Sequence, residues 1–317
     1  MKIFQNFKIE GYLDFIKEKY KDYPITLYWD YPVDIRSIDT SRINLFMSHE
    51  PGELFEIHNW LLGQPLSNGK TGSWVGVPIY KAFHGIIAWD KKLLSHIDNG
   101  IEFQCSWRIN NDPIWEFLGD KKFETTFLSG TKNLLEGHAL RHKVFNIKDQ
   151  ITTPHRWYKV LEDFDNSSNT RPGYNEYSKD LSHIPLEAKY EPHIYGKKHL
   201  YKNTMFNVAI ENVNKPNWLV EKIYSCFSSK TIPLYWGCPN LEEFGYDERG
   251  VIRFNNEKDL LNILNNLTEE DYYNRLPYIE HNYKINQKDT LKDKMFYILD
   301  EIIKSTPKLS VIKNNNL

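Results

Sequence analysis

Short apolar runs bounded by turn residues or charge recur along the chain and alternate with stretches of helical spacing. In the first part Ile25–Trp29, Ile43–Ser48 and Ile86–Trp89 read as strands. The stretch Gly63–Gly76, with Pro65, Ser67, Asn68, Gly69, Gly72 and Ser73, reads as a surface loop. At Gly119–Lys122 a polar GDKK segment precedes a new strand, Phe123–Leu128, then a loop and a helical run from His138 to Phe145. This restart marks a domain boundary. Asn166–Lys198, rich in Asn, Ser, Pro, Tyr and Lys, predicts a long irregular excursion. After it come a strand at Met205–Ile210, a polar run Glu211–Asn217 and a helix from about Trp218 to Ser228. A strand at Thr231–Trp236 is stopped by Gly237 and Pro239, and Val251–Phe254 and Glu257–Leu267 follow as strand and helix. Strands alternating with helices predict βαβ units and parallel sheets covered on both faces, with ligands beyond the strand C-terminal ends. A final helix, Leu291–Ile303, places Met295, Ile298, Leu299 and Ile302 on one face, to pack on one of the domains.

Length turns this α/β pattern into two domains, since 317 residues exceed a typical single core and match two units of about 100–200 residues. They are expected at 1–119 and 120–300, with 301–317 as a polar tail. A formal net charge of -2 supplies no global field for a polyanion, so nucleic acid is a poor partner and any phosphate recognition must be local. The aromatic content of 15% suits sugar faces, although most such rings fill cores. Cys105, Cys226 and Cys238 are odd in number and widely spaced, which points away from a disulfide framework and towards a reducing compartment. The charged start MKIFQNFKIEGYLDF lacks an apolar signal core, and no window reaches the 18 apolar residues of a membrane span. A cytoplasmic location is the expectation.

Chemistry concentrates in Phe206–Pro239. On the expected helix Trp218, Glu221 and Lys222 are spaced i, i+3, i+4 and share a face, while Leu219, Ile223, Cys226 and Phe227 form the apolar one. A carboxylate and an ammonium near a helix N-terminus suit a nucleotide diphosphate: Glu221 accepts from ribose hydroxyls, and Lys222 and the helix amides face phosphate. The plainer alternative is that both are solvated surface charges.

The sequence of a strand, Glu-Asn, Glu-Lys-Ile and then Thr-Ile-Pro-x-Tyr-Trp-Gly-x-Pro resembles the donor-binding signature of the alpha-1,3/4-fucosyltransferases, glycosyltransferase family 10. It is carried by Phe206, Asn207, Glu211, Asn212, Glu221, Lys222, Ile223 and Thr231–Gly237. The resemblance covers about 35 residues and is weak in the N-terminal half. It implies two Rossmann-like domains facing across a cleft, the GT-B type, and inverting transfer of fucose from GDP-fucose to a glycan acceptor without a metal or other cofactor. Glu221 would hold the ribose, Lys222 the diphosphate, and Glu211 and Asn212 would line the donor sugar. Trp218 stands where bacterial members often have Tyr. Arg141 is the best match to the family's diphosphate-pairing arginine, with Lys143 and Lys132 as competitors. Phe46–Glu50 matches the context of the catalytic base, which makes Glu50 the candidate and His49 and Glu53 its rivals.

Two other signals compete. Asp163-Phe-Asp165 has the Asp-x-Asp form of metal-dependent sugar transferases, but it lies in the polar stretch Glu162–Asn169, which reads as a solvated turn. His138 and His142 are spaced i, i+4 without the glutamate of an HExxH motif. The two alternatives to the fucosyltransferase reading are thus a metal-dependent transferase using another nucleotide sugar, and a non-catalytic sugar-binding protein.

Overall fold

The computed structural model describes residues 1–5, 13–52, 56–66, 71–72, 74–103, 119–129, 133–159, 198–288 and 291–305. The chain divides into two compact units, Met1–Cys105 together with Thr290–Leu317, and Ser106–Asp289.

The first unit is built on a parallel five-stranded sheet. Its strands β1 (Lys2–Gln5), β2 (Ile25–Trp29), β3 (Ile43–Ser48), β4 (Gly85–Ala88) and β5 (Gly100–Glu102) lie side by side in sequence order. Helix α1 (Asp14–Lys19) precedes β2, α2 (Ile57–Leu61) follows β3, and α3 (Lys91–Leu94) follows β4. Every residue of β2, β3 and β4 is buried, as continuous apolar runs in a sheet covered on both faces require. On one face Tyr28, Phe46 and Ile86 pack with Trp60, Leu61 and Phe83 from the connections.

The second unit carries β6 (Lys122–Ser129), α4 (Glu136–Asn146), β7 (His155–Lys159), α5 (Lys198–Tyr201), β8 (Thr204–Ile210), α6 (Glu221–Ser229), β9 (Ile232–Trp236), β10 (Ile252–Arg253), α7 (Glu257–Asn266) and α8 (Glu269–Asn286). Its sheet is also parallel, but the order is β10-β9-β8-β6-β7. The chain leaves β6 towards β7 on one side and leaves β8 towards β9 on the other. The order therefore reverses between β6 and β8, and the two connections part there to leave a crevice beyond the strand ends, the usual ligand position in such sheets.

The expected α/β fold class, with a Rossmann-like parallel sheet in each unit, is what the chain adopts. Several element boundaries differ from the sequence reading. The division falls between Cys105 and Ser106, not at 119, and the second unit ends at Asp289. The last helix, α9 (Leu291–Ser305), takes in 301–305 and is grouped with the first unit. It is held there by α1 and the residues after it: Tyr20 Oη donates to Asp300 Oδ1 at 2.8 Å and to Phe296 O at 3.1 Å, and Lys19 pairs with Asp300.

Candidate functional site

The site is assembled around the C-terminal end of β8, all of whose residues are buried. Glu211 follows it directly, and its N–H donates to Trp236 O at 2.8 Å, which extends the β8–β9 ladder by one residue. Two glycines allow the chain to close here. A Cβ on Gly237 would meet Glu211 Cγ at 2.4 Å, so the glycine after β9 makes room for that side chain. A Cβ on Gly137 would lie 1.7 Å from Glu211 O, and the Gly137 N–H donates to Asn212 O at 3.0 Å. The first turn of α4 is thus pressed onto the strand end. Arg141, four residues later on the same helix face, is thereby aimed at the same place.

Arg141 donates through Nε to Ile210 O at 3.1 Å and through Nη2 to Ile210 O and, at 3.0 Å, to Asn212 Oδ1. Its Nη1 makes no hydrogen bond among the described residues, so one edge of a half-buried guanidinium remains available. Burial lowers its pKa to about 10, against the opposing charges of Glu211 and Glu221, and it stays cationic at neutral pH. From α6, Lys222 Nζ lies 3.1 Å from Glu221 Oε1 and 3.4 Å from Glu211 Oε2. Glu211 is fully buried; Tyr235 Oη reaches its Oε1 at 3.4 Å, whereas Oε2 has no partner in hydrogen-bond geometry. Burial raises its carboxyl to about 7; the charge of Glu221 adds to this, and Lys222 and Arg141 work against it.

The structure therefore brings Arg141, Glu211, Asn212, Glu221 and Lys222 together where the strand order reverses. Trp218 is different. The helix begins at Glu221, not Trp218, because Asn217 takes a left-handed conformation (φ 66°) and is clipped to Asn240, whose Oδ1 accepts the Asn217 backbone N–H and whose Nδ2 donates to Asn217 Oδ1, both at 2.9 Å. Trp218, Leu219 and Val220 run into the helix as buried, non-helical residues, so Trp218 shares no helix face with Glu221 and presents no ring to a ligand. Lys143 is exposed on α4, and the ring of His138 accepts the Leu135 N–H at 3.1 Å, capping that helix. Lys132, Asp163 and Asp165 lie outside the described residues. Among the described residues no group of three or more His, Cys, Asp or Glu is arranged to hold a metal, and no helix is long and apolar enough to cross a membrane.

Glu50 belongs to the first unit, just beyond β3, and is half-buried. Its backbone N–H, and that of His49, donate to Asp30 at 3.1 and 2.8 Å. His49 is a core residue with its ring against Trp29 and its carbonyl accepting from Trp89 Nε1, which removes it as a rival base. Glu53 lies outside the described residues. Asp30 was not anticipated. It is completely buried at the end of β2, with φ 45°, and burial together with the Glu50 charge raises its carboxyl well above the ordinary range. A polar residue directly after the strand Ile25–Trp29 was the available signal. The first unit also holds a cavity of about 520 Å³ lined by Val33, Ile35, Trp60, Leu66, Trp74 and Ile79, with the exposed Asp34–Arg36 ion pair.

No family model matches the sequence, and no curated protein does. Among solved structures the chain is similar to Anabaena Alr3699/HepE in complex with UDP and glucose, with a TM-score of 0.58 and 11% identity over 96% of this chain and 86% of that one. It is also similar to the N-terminal domain of Candida albicans trehalose-6-phosphate phosphatase, with a TM-score of 0.52 and 12% identity over 92% of this chain and 75% of that one. An alpha1,3-fucosyltransferase with GDP-fucose aligns over 90% of both chains at 13% identity, with a TM-score of 0.43 that carries no argument. At such identities the first two likenesses are likenesses of fold, and the α/β fold of two parallel sheets is the conclusion they support.

Proposed function

We propose that the chain is an inverting glycosyltransferase that transfers fucose from GDP-fucose to a glycan hydroxyl. The observation that carries this reading is the meeting of Arg141 and Lys222 at the strand-order reversal, with a guanidinium edge that makes no hydrogen bond among the described residues. A diphosphate leaving group needs that positive charge when its bond to the sugar breaks, and two cations supply it without a metal. Glu221, in the first turn of α6, takes the ribose hydroxyls and Asn212 lines the donor sugar, with Glu211 buried behind them beside Lys222. Glu50 removes the acceptor proton as the acceptor oxygen bonds to the anomeric carbon and the diphosphate departs from the opposite face. The apolar, tryptophan-lined cavity of the first unit suits an acceptor sugar ring.

The sugar and base rest on the resemblance of the Phe206–Pro239 segment, and the fold relative with bound UDP and glucose keeps a uridine donor as the second reading. Calorimetry with GDP, GDP-fucose, UDP and UDP-glucose decides between them. The guanosine ligands should bind, and Lys222→Ala should weaken them about tenfold or more, because charge-assisted contacts to phosphate are worth about 1.5–3 kcal/mol each. Unchanged affinity in both Lys222→Ala and Arg141→Ala would remove the donor site from this position. Tighter binding of the uridine ligands would establish the second reading.

A further inference from the structure

Of the four charged groups Arg141, Glu211, Glu221 and Lys222, a nucleotide site accounts for three. Lys222 and Arg141 face phosphate and Glu221 faces ribose, but Glu211 is a second carboxylate placed among the same cations, where its charge repels the diphosphate they attract. It cannot turn away into solvent. Its side chain is wholly buried, Gly237 lies against its Cγ, and Gly137 packs on its backbone carbonyl. Its Oε2 has no partner in hydrogen-bond geometry among the described residues and lies 3.4 Å from Lys222 Nζ. A diphosphate that draws Lys222 towards itself leaves this buried oxygen with neither an ion pair nor a hydrogen bond. An ionised carboxylate in that position is costly, whereas a protonated one is not.

We propose that Glu211 takes up a proton when a nucleotide diphosphate binds, so that donor binding is coupled to proton uptake at the end of β8. This rests on the donor-site reading given above. The step is a simple transfer: one proton moves from the buffer to a Glu211 carboxylate oxygen, and the cluster passes from balanced charge to one net positive charge as the dianionic diphosphate arrives. The charged and titratable groups around Glu211 are Arg141 from α4, Lys222, Glu221 and Cys226 from α6, Tyr235 from β9 and Cys238 just after it, with Arg253 of β10 over the Tyr235 ring at 4.8 Å. Glu211 is raised to about 7 by burial, whereas Arg141 remains cationic and burial holds the Tyr235 hydroxyl and the Cys226 and Cys238 thiols neutral. A diphosphate adds negative charge beside it and moves it further in the same direction. Linkage then fixes the sign: affinity falls as pH rises through and above the range in which free Glu211 titrates.

The test is calorimetry of the intact protein with GDP-fucose, whose esterified diphosphate has no proton of its own to exchange near neutrality. Titrations at pH 7.0, 7.5 and 8.0 in buffers of different ionisation enthalpy count the protons. The expected result is uptake of about half to one proton at pH 7.5–8.0, with an affinity that weakens towards tenfold per pH unit above Glu211's range. Glu211→Gln should bind GDP-fucose with no uptake and a flat pH dependence, whereas His142→Gln, which changes the nearby titratable group on α4, should keep the uptake. Binding by the wild type without proton uptake overturns the proposal and leaves the donor site standing. Uptake that disappears in His142→Gln also overturns it, and this arm decides the matter even if Glu211→Gln fails to fold. No binding of GDP-fucose at all refutes the donor-site reading itself.

Discussion

Both units contain a parallel five-stranded sheet with a buried carboxyl at a strand C-terminal end, yet the surroundings of the two carboxyls are opposite. In the first unit the strands lie in sequence order, and Asp30 is held by two backbone N–H groups with the Glu50 carboxylate as its charged neighbour. In the second the order reverses between β6 and β8, and Glu211 stands among two cations with Glu221 beside them. Burial raises both, but the first pair is acid beside acid and the second is acid among bases. The first arrangement suits taking a proton from a neutral hydroxyl, and the second suits holding an anion. Sheet topology thus supplies a position, and the charges placed there decide the task.

The sharpest way to break this contrast is to test whether the two clusters control different quantities. Glu50→Gln should lower kcat about 10²–10⁴-fold while leaving GDP-fucose affinity within about twofold, the signature of a lost general base. Lys222→Ala should act first on donor affinity. Steady-state kinetics beside calorimetry would expose a wrong assignment, since near-normal turnover in Glu50→Gln would place the base elsewhere and leave the donor cluster intact.

The next effect concerns how the second cluster is built. A side chain at Gly137 would collide with Glu211 O. Gly137→Val should destabilise the protein by about 1–3 kcal/mol through overpacking and weaken nucleotide binding by displacing Arg141 from Ile210 O. Thermal melting and GDP calorimetry of a soluble variant check both, and an unchanged melt would show that α4 does not press on the strand end.

This dependence also explains what the sequence revealed. Strands β2, β3, β8 and β9 and helix α7 are legible because each buries an apolar run of the right period. Helix α8 has no such apolar run, although Thr268 and Asp271 form a capping box at its start. Its buried face carries Asn282 and Asn286 in place of apolar residues, bonded to the backbone of Asp247 and Tyr224, and Pro277 sits in its middle. In the site, Glu211, Asn212, Glu221 and Lys222 were readable from a local motif. Trp218 was misplaced because helical spacing was extended back across Asn217, whose left-handed turn is enforced by Asn240, 23 residues away. Asp30 and Gly137 act through partners distant in sequence, and no local pattern announces them.

A smaller effect separates the two buried acids by their cost to stability. The folded pKa of Asp30 lies above its unfolded value of about 4. The folded chain therefore holds a proton that the unfolded chain has lost, and stability declines as pH rises from about 4 through that window. Asp30→Asn cannot ionise and should remove this decline while keeping one acceptor for the turn at His49 and Glu50. Urea unfolding of both proteins from pH 4.5 to 7.5 gives the two slopes, and parallel slopes would mean that Asp30 ionises as freely in the fold as outside it.

The last effect has the opposite sign and comes from the other end of the second sheet. Lys121 precedes β6, and its Nζ donates to Tyr201 O at 2.7 Å and to Thr231 Oγ1 at 2.8 Å, both of them neutral acceptors. Burial lowers its pKa to about 7, whereas an unfolded lysine titrates near 10.4. Between these values the unfolded chain binds the proton that the folded chain has released, so stability rises with pH from about 7 to about 10, and the penalty is fully present below 7. The slope cannot exceed about 1.4 kcal/mol per pH unit for one group. Lys121→Met keeps the stem and removes the amine. The two acceptors are not stranded, because Thr231 Oγ1 itself donates to Tyr201 O at 2.8 Å and accepts from Ser229 Oγ at 2.9 Å. Unfolding measured from pH 7 to 9.5 should show a rising stability in the wild type and a flatter profile in Lys121→Met. If the two profiles stay parallel, Lys121 remains protonated in the fold and this end of the sheet tolerates a buried cation.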